Sequence, residues 1–414
     1  MSRRLRSRSI IAALPLLLTL LGAAPASATS PTVIYGQYDG LLAINSGSFA
    51  GEIVMPIPVG TWWVTVTAML SNDAASYVTG EQTQCELDGP AGATDRTSVL
   101  LTSGATGRSH SSMYLTILAT SSSMWDAALS CRTDAGAGEI HLSVMRFTAV
   151  EVFTSGTNSP QARFRATVGA AHTGDNTYHT LNSLNLPAGR WWILGKADVA
   201  NDAPNATSHV SCQLSLGTDL DRTQVGLYDT GQQGNTEEEG VQIAHGFSSA
   251  GRVNLQCKSA STFTTTYERI FAIKTGKLTR KAFGGASSTS GSGTPLVISG
   301  YEAASVNIAS GTFKTVESLS LPAGAWYVQA KAVLTDGAAQ PVECQLVVAT
   351  DNDLIGSYGG PTGSTGLYLQ TAHELASAGS AKLQCRVLSG GASLSYIRIT
   401  AISVGSLSPG ILEG

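Results

Sequence analysis

Six landmarks recur three times in one order along this 414-residue chain, and that repetition limits its fold more than any other feature. Gly60-Thr61-Trp62-Trp63-Val64, Gly189-Arg190-Trp191-Trp192-Ile193 and Gly324-Ala325-Trp326-Tyr327-Val328 are one segment written three times. Eleven residues before each glycine stands an aromatic: Phe49, Tyr178, Phe313. Cys-[Glu/Gln]-Leu follows at Cys85, Cys212 and Cys344, then Leu-[Ser/Gln]-Cys-[Arg/Lys] at Cys131, Cys257 and Cys385. Each repeat closes on an arginine with an alanine three residues later, at Arg146, Arg269 and Arg398. A period of about 130 residues is too long for a solenoid unit and suits an independent domain. The repeats are placed at 33–152, 162–278 and 296–409, separated by 153–161 and 279–295. The second separator is rich in Gly and Ser and reads as a flexible linker.

Within each repeat the apolar residues alternate with the period of a strand. Val253, Leu255 and Cys257 share one face, while Asn254, Gln256 and Lys258 share the other. Val210, Cys212 and Leu214 also share a face, as do Val342, Cys344 and Leu346, so the cysteines point to the core. Six cysteines allow fifteen pairings. The repetition selects Cys85–Cys131, Cys212–Cys257 and Cys344–Cys385, expected to bridge a two-layer core. In the chain-entropy model each loop of this size contributes about 4 kcal/mol. No segment has the pattern of a long amphipathic helix. The fold class is therefore all-β: three tandem β-sandwich, jelly-roll-like domains, each with one disulfide.

The first residues bear on location. Arg3, Arg4, Arg6 and Arg8 precede an apolar run from Ile10 to Leu21, and Ala26-Ser27-Ala28 offers a cleavage site. Residues 1–28 read as a secretory signal, which makes the mature chain extracellular. Its removal takes four arginines and no acid, so the net charge moves from −4 to −8. That balance gives no basic footprint for nucleic acid, and no later apolar run is long enough to span a membrane as a helix.

Ser183-Leu184-Asn185-Leu186-Pro187-Ala188-Gly189-Arg190-Trp191-Trp192 and Ser318-Leu319-Ser320-Leu321-Pro322-Ala323-Gly324-Ala325-Trp326-Tyr327 carry a resemblance. They are similar to uncharacterised secreted repeat proteins of high-GC Gram-positive bacteria. Over about fifteen residues per repeat they also resemble the Gly-x-aromatic-aromatic strand start of complement globular heads and tumour-necrosis-factor-like jelly rolls. The aromatic-to-glycine spacing is longer here, and the disulfide has no match in that family. The second resemblance implies a jelly roll that associates in threes and works by binding.

The first aromatic of each pair alternates with core residues. The second (Trp63, Trp192, Tyr327) lies on the more polar face, where it can pack under a loop, meet another repeat, or stack on a sugar. The closing strand is apolar on both faces, with Phe271 and Ile273 beside Arg269 and Ile402 beside Arg398, as a strand covered on both sides would be. Asp219 and Asp221, and likewise Asp351 and Asp353, are weak candidates for a metal, because alternating carboxylates can supply oxygens to Ca²⁺. They supply too few alone, so turn formation or a local pair with a following arginine competes. Glu237-Glu238-Glu239 reads as a solvated loop. Of seven histidines only His245 and His373 match between repeats, and no hydrolase, phosphate-loop or zinc-protease motif occurs.

The expected function is non-enzymatic and cofactor-free: a binding or assembly module of three sandwiches closing as a pseudo-trimer within one chain, with a protein or polysaccharide partner. The alternatives are a multivalent carbohydrate-binding protein using Trp63, Trp192 and Tyr327, and a secreted hydrolase.

Overall fold

The computed structural model describes residues 31–413 apart from 45–46, 73–80, 102–108, 134–139, 155–159, 203–207, 228–235, 284, 310, 336–340 and 359–363. The signal-peptide reading falls outside these residues. The first repeat is built from β1 (Thr32–Tyr38), β2 (Leu42–Ile44), β3 (Ala50–Ile57), β4 (Gly60–Asn72), β5 (Glu81–Asp88), β6 (Thr94–Leu101), β7 (Ser109–Ser121), β8 (Trp125–Thr133) and β9 (Ile140–Glu151). One sheet runs β1-β9-β4-β7, with β2 also on β9, and the other runs β3-β8-β5-β6. This is jelly-roll wiring. The second and third repeats follow the same plan, through Gly189–Asn201 and Gly324–Thr335 in place of β4. The fold is the all-β sandwich architecture the alternation implies.

Alternation on β4 explains why its residues form a strand buried on both sides. Trp62, Val64, Val66, Ala68 and Leu70 enter the core between the two sheets of their own repeat. Trp191 and Trp326 do the same, their indole N–H donated to the carbonyls of Pro187 and Pro322 at 3.1 and 3.0 Å. The glycine opening each of these strands has φ of +138°, +141° or +130° at Gly60, Gly189 and Gly324, which accounts for a glycine at that landmark.

The disulfides join the expected partners, Cys85–Cys131, Cys212–Cys257 and Cys344–Cys385. They do not bridge the two sheets. Each links directly opposed residues on adjacent strands of the outer sheet, with Cα atoms 4.1 Å apart. Alternation reports which face a cysteine takes, and both partners take the core face of one sheet.

The segments between repeats are also structured. Lys277–Ala282 pairs in parallel with Leu296–Glu302, and Ser287–Gly291 pairs antiparallel with Lys277–Ala282. The Gly/Ser separator is thus partly strand rather than a free linker, because Leu278 anchors it in an apolar cluster. Phe153 likewise bridges Gln161 in parallel. Ser406–Pro409, placed with the third repeat from sequence, pairs in parallel with β1 of the first. Each tail therefore lies beside the first strand of the following repeat, and the last tail lies beside the first strand of all. Gly405 N–H donates to Pro31 O, Gly410 N–H to Tyr35 O, and Val54 and Glu413 exchange backbone bonds of 2.9 and 3.1 Å.

Ending the chain after Val404 removes these bonds. It is expected to lower unfolding stability by about 2–3 kcal/mol and to speed amide exchange in β1. Denaturant unfolding and hydrogen exchange of residues 32–38 check this.

Candidate functional site

The residues of the three long central strands that point away from their own cores converge on one another. Trp63, Trp192 and Tyr327, 129 to 264 positions apart in the sequence, sit in one apolar cluster with Val150, Phe271, Ile273 and Ile402. Trp63 stacks on Phe271 at 4.4 Å and meets Trp192 and Tyr327 edge-on at 5.5 and 5.8 Å. All three are 0% exposed, so none is a platform for a sugar ring. The face that is more polar by sequence is the face between sandwiches, and its polar groups serve the aromatics.

One step along the strands are Thr65, Leu194 and Gln329. Trp63 Nε1 donates to Thr116 Oγ1 at 2.7 Å, and Trp192 Nε1 donates to Gln242 Oε1 at 3.1 Å. Tyr327 Oη donates to Gln370 Oε1 at 2.6 Å, which also accepts from Thr65 Oγ1 at 2.7 Å. The Gln370 amide reaches the carbonyls of Thr65 and Arg146 in the first repeat at 3.2 and 2.7 Å. Burying such groups without partners would be costly; the two indoles find theirs within their own repeats, and the Tyr327–Gln370 pair also reaches the first repeat.

The next step carries the charges. Asp95 Oδ2 accepts the backbone N–H of Thr116 in its own repeat at 2.9 Å and Lys196 Nζ of the second at 2.7 Å, while Arg269 Nε lies 3.4 Å from Oδ1. Asp221 accepts the N–H of Gln242 at 2.7 Å, with Lys331 Nζ and Arg398 Nε of the third repeat at 2.9 and 3.1 Å. Asp353 accepts the N–H of Gln370 at 2.8 Å and Thr67 Oγ1 of the first repeat at 3.2 Å, with Arg146 Nε 3.7 Å away. The same contact is built three times, each aspartate answering the following repeat and the last answering the first. Thr67 replaces the lysine at the third joint.

These contacts absorb two sequence landmarks, the closing arginine and the aspartate after the first cysteine. The aspartates do not pair with the arginine beside them in sequence: Arg96 pairs with Glu86, and Arg222 donates to Gln213. The lysines carried no motif, and only their place on the face shared with the second aromatics could have marked them.

Burial sets the protonation of the joints. It works against the charge of Lys196, but Asp95, Glu238 and Asp198 outweigh it and raise the ammonium above its usual range. For Lys331 burial prevails over Asp221, and the ammonium is lowered. Burial pushes Asp353 up to about 7, against the pull of Arg146.

The four candidate metal aspartates are held by basic side chains and divide between two environments. Asp221 and Asp353 lie in the joints just described. Asp219 accepts His245 Nδ1 at 2.6 Å and Arg280 at 2.7 Å, and the His245 bond is the main reason its carboxyl falls to about 2. Asp351 pairs with His373 Nδ1 at 2.7 Å. That explains why these two histidines match between repeats. Among the described residues no group of three or more His, Cys, Asp or Glu is arranged to hold a metal. Glu238 and Glu239 are not in a solvated loop. They lie in strand Thr236–Phe247 and are 4% and 0% exposed.

No protein-family model matches the chain, and no curated protein matches it. Among solved structures it is similar to the triple jelly roll of an archaeal virus turret assembly, at 11% identity and a TM-score of 0.23 over 92% of each chain. It is also similar to the T13 IBDV viral particle protein, at 8% identity and a TM-score of 0.23, covering 91% of this chain and 78% of that one. A third similarity is to PNGF-II, at 5% identity and a TM-score of 0.25, covering 83% and 99%. Likenesses this slight carry no functional argument. No helix among the described residues is long and apolar enough to cross a membrane.

Proposed function

We propose that this chain is an extracellular, non-enzymatic binding or assembly block, a single-chain pseudo-trimer whose three sandwiches close on a common axis. The observation that carries the reading is the recurrence of one contact, aspartate to the next repeat's arginine, at all three joints. A head-to-tail interface either closes into a ring or continues as a filament. Here the last tail returns to the first strand, which favours closure. Three of the repeated features, the second aromatic, the closing arginine and the aspartate after the first cysteine, are spent on holding the repeats together, and one active site would need no such triplication. Closure leaves three outer sheets facing away from the axis, an arrangement suited to multivalent contact. On those sheets the remaining landmark aromatics are covered by cations: Arg132 over Phe49 at 4.9 Å, Lys258 over Tyr178 at 5.0 Å and Arg386 over Phe313 at 4.5 Å.

Solution scattering tests the reading. A closed particle of this length is expected to have a radius of gyration of about 21 Å. An extended string about three domain diameters long would overturn it.

A further inference from the structure

We propose that the joint between the first and second repeats is a proton-operated clasp, tight while its opposed acids Asp198 and Glu238 share one proton and loosened when that proton leaves. This rests on the closed arrangement proposed above. The joint holds Asp95 from the first repeat and Lys196, Asp198, Glu238 and Arg269 from the second, none more than 7% exposed. Three carboxylates therefore face two cations. Both cations lean on Asp95: Lys196 Nζ is 2.7 Å from it but 3.9 Å from Asp198, and Arg269 Nε is 3.4 Å from it. Asp198 and Glu238 are left directly opposite each other on neighbouring strands. Like charges at opposed positions destabilise a sheet, and a buried charge without compensation takes up a proton instead.

This acid pair belongs to one joint. The matching ladder positions are Met69 opposite Ser112 in the first repeat and Val333 opposite Gly366 in the third. It also spans the joint. Asp198 accepts the Ser98 N–H at 3.1 Å and Thr97 Oγ1 at 3.3 Å, and Glu238 accepts the Tyr114 N–H at 2.7 Å, all from edge strands of the first repeat.

The surrounding elements do not balance the excess charge. From β6, Arg96 gives its carbonyl to Lys196 and its guanidinium to Glu86. On β7, Tyr114 packs beside Tyr368 of the third repeat, and His110 sits against Gly356. The second repeat's own sheet adds further acids, Glu237 and Glu239 beside Glu238, and Glu268, which accepts from Thr265 and Thr167; of its basic groups, His172 Nε2 lies 3.0 Å from Thr265 Oγ1 and Arg165 donates to the Ser183 carbonyl.

Burial pushes Glu238 up to about 7 and Asp198 well above the carboxylate range, against the pull of Lys196. A carboxyl whose pKa is raised on closing holds its proton more tightly in the closed joint. Its stabilising contribution is complete below the solvated value of about 4 and is lost as the pH rises through about 7.

The test is hydrogen exchange of the full chain between pH 5 and 9, on peptides covering 94–101 and 109–121. Each rate is corrected for intrinsic exchange and divided by that of the outer-sheet peptide 125–133. The relative opening should rise about tenfold per pH unit up to about pH 7, the slope of one proton, and level off above it, where the closed joint has also lost its proton. Glu238→Gln and, independently, Asp198→Asn should each abolish the rise. A flat wild-type profile, or the same rise in both variants, would overturn the clasp. Scattering of the same sample at pH 6 separates the two readings. An extended particle there sinks the closed arrangement itself, whereas a compact particle with a flat profile sinks only the clasp.

Discussion

Trp63→Ala is expected to lower unfolding stability by about 3–5 kcal/mol and to loosen all three sandwiches from one another. Trp63 touches partners from both other repeats, Phe271 face to face and Trp192 and Tyr327 edge-on. Its removal leaves a void that three rigid rings cannot refill, and it strands the hydroxyl of Thr116 that accepts its indole N–H. Trp62→Ala, one residue earlier, should cost a similar amount by a different route. That side chain lies in the core between the two sheets of the first repeat, so the first sandwich should melt early while the other two stay docked. Denaturant unfolding gives the size of each effect, and scattering below the transition gives its location. If Trp63→Ala expanded the particle no more than Trp62→Ala, the axial cluster would not be what joins the repeats.

The division between these neighbouring tryptophans was half visible in the sequence. Alternation put Trp62, Trp191 and Trp326 in the core, because a strand has two faces and the first member of each pair shares one with aliphatic residues. It could not say what covers the second member. Packing by a loop, by another repeat or by a ligand all leave the same local pattern, since each depends on contacts more than a hundred residues away. The disulfide partners were legible because the repetition removed the combinatorial freedom, whereas their lying within one sheet was not, because a face is shared by every strand of a sheet. The acids were misplaced for a related reason. Glu237-Glu238-Glu239 has the composition of a loop, and the burial of Glu238 and Glu239 depends on sequence-distant strands that cover them and push their carboxyls up to about 7 and about 8. Asp95, Asp221 and Asp353 recur at one place after the first cysteine, but turn formation explains such recurrence equally well until Lys196, Lys331 and the closing arginines are brought to them.

Those aspartates should not be equally important. Asp221→Ala is expected to cost about 3–5 kcal/mol, because it leaves Lys331 and Arg398 buried at 3% and 5% exposure with their carboxylate gone. Asp353→Ala should cost less, about 1–3 kcal/mol. At that joint the lysine position is Thr67, which is neutral, and Arg146 keeps a second carboxylate, Asp39, at 2.6 Å. Lys331→Thr sharpens the comparison, since it gives the second joint the side chains of the third. Asp221 would still hold Arg398 and the Gln242 N–H, so this change should be milder than Asp221→Ala even though it removes a charge from the same pair. Combining the two should then recover part of the loss from Asp221→Ala alone, because one of the two stranded cations is absent. Urea midpoints of the four proteins order these expectations. Asp221→Ala within about 1 kcal/mol of the parent would mean that the joint is solvated and that the ion pairs do not hold the sandwiches together.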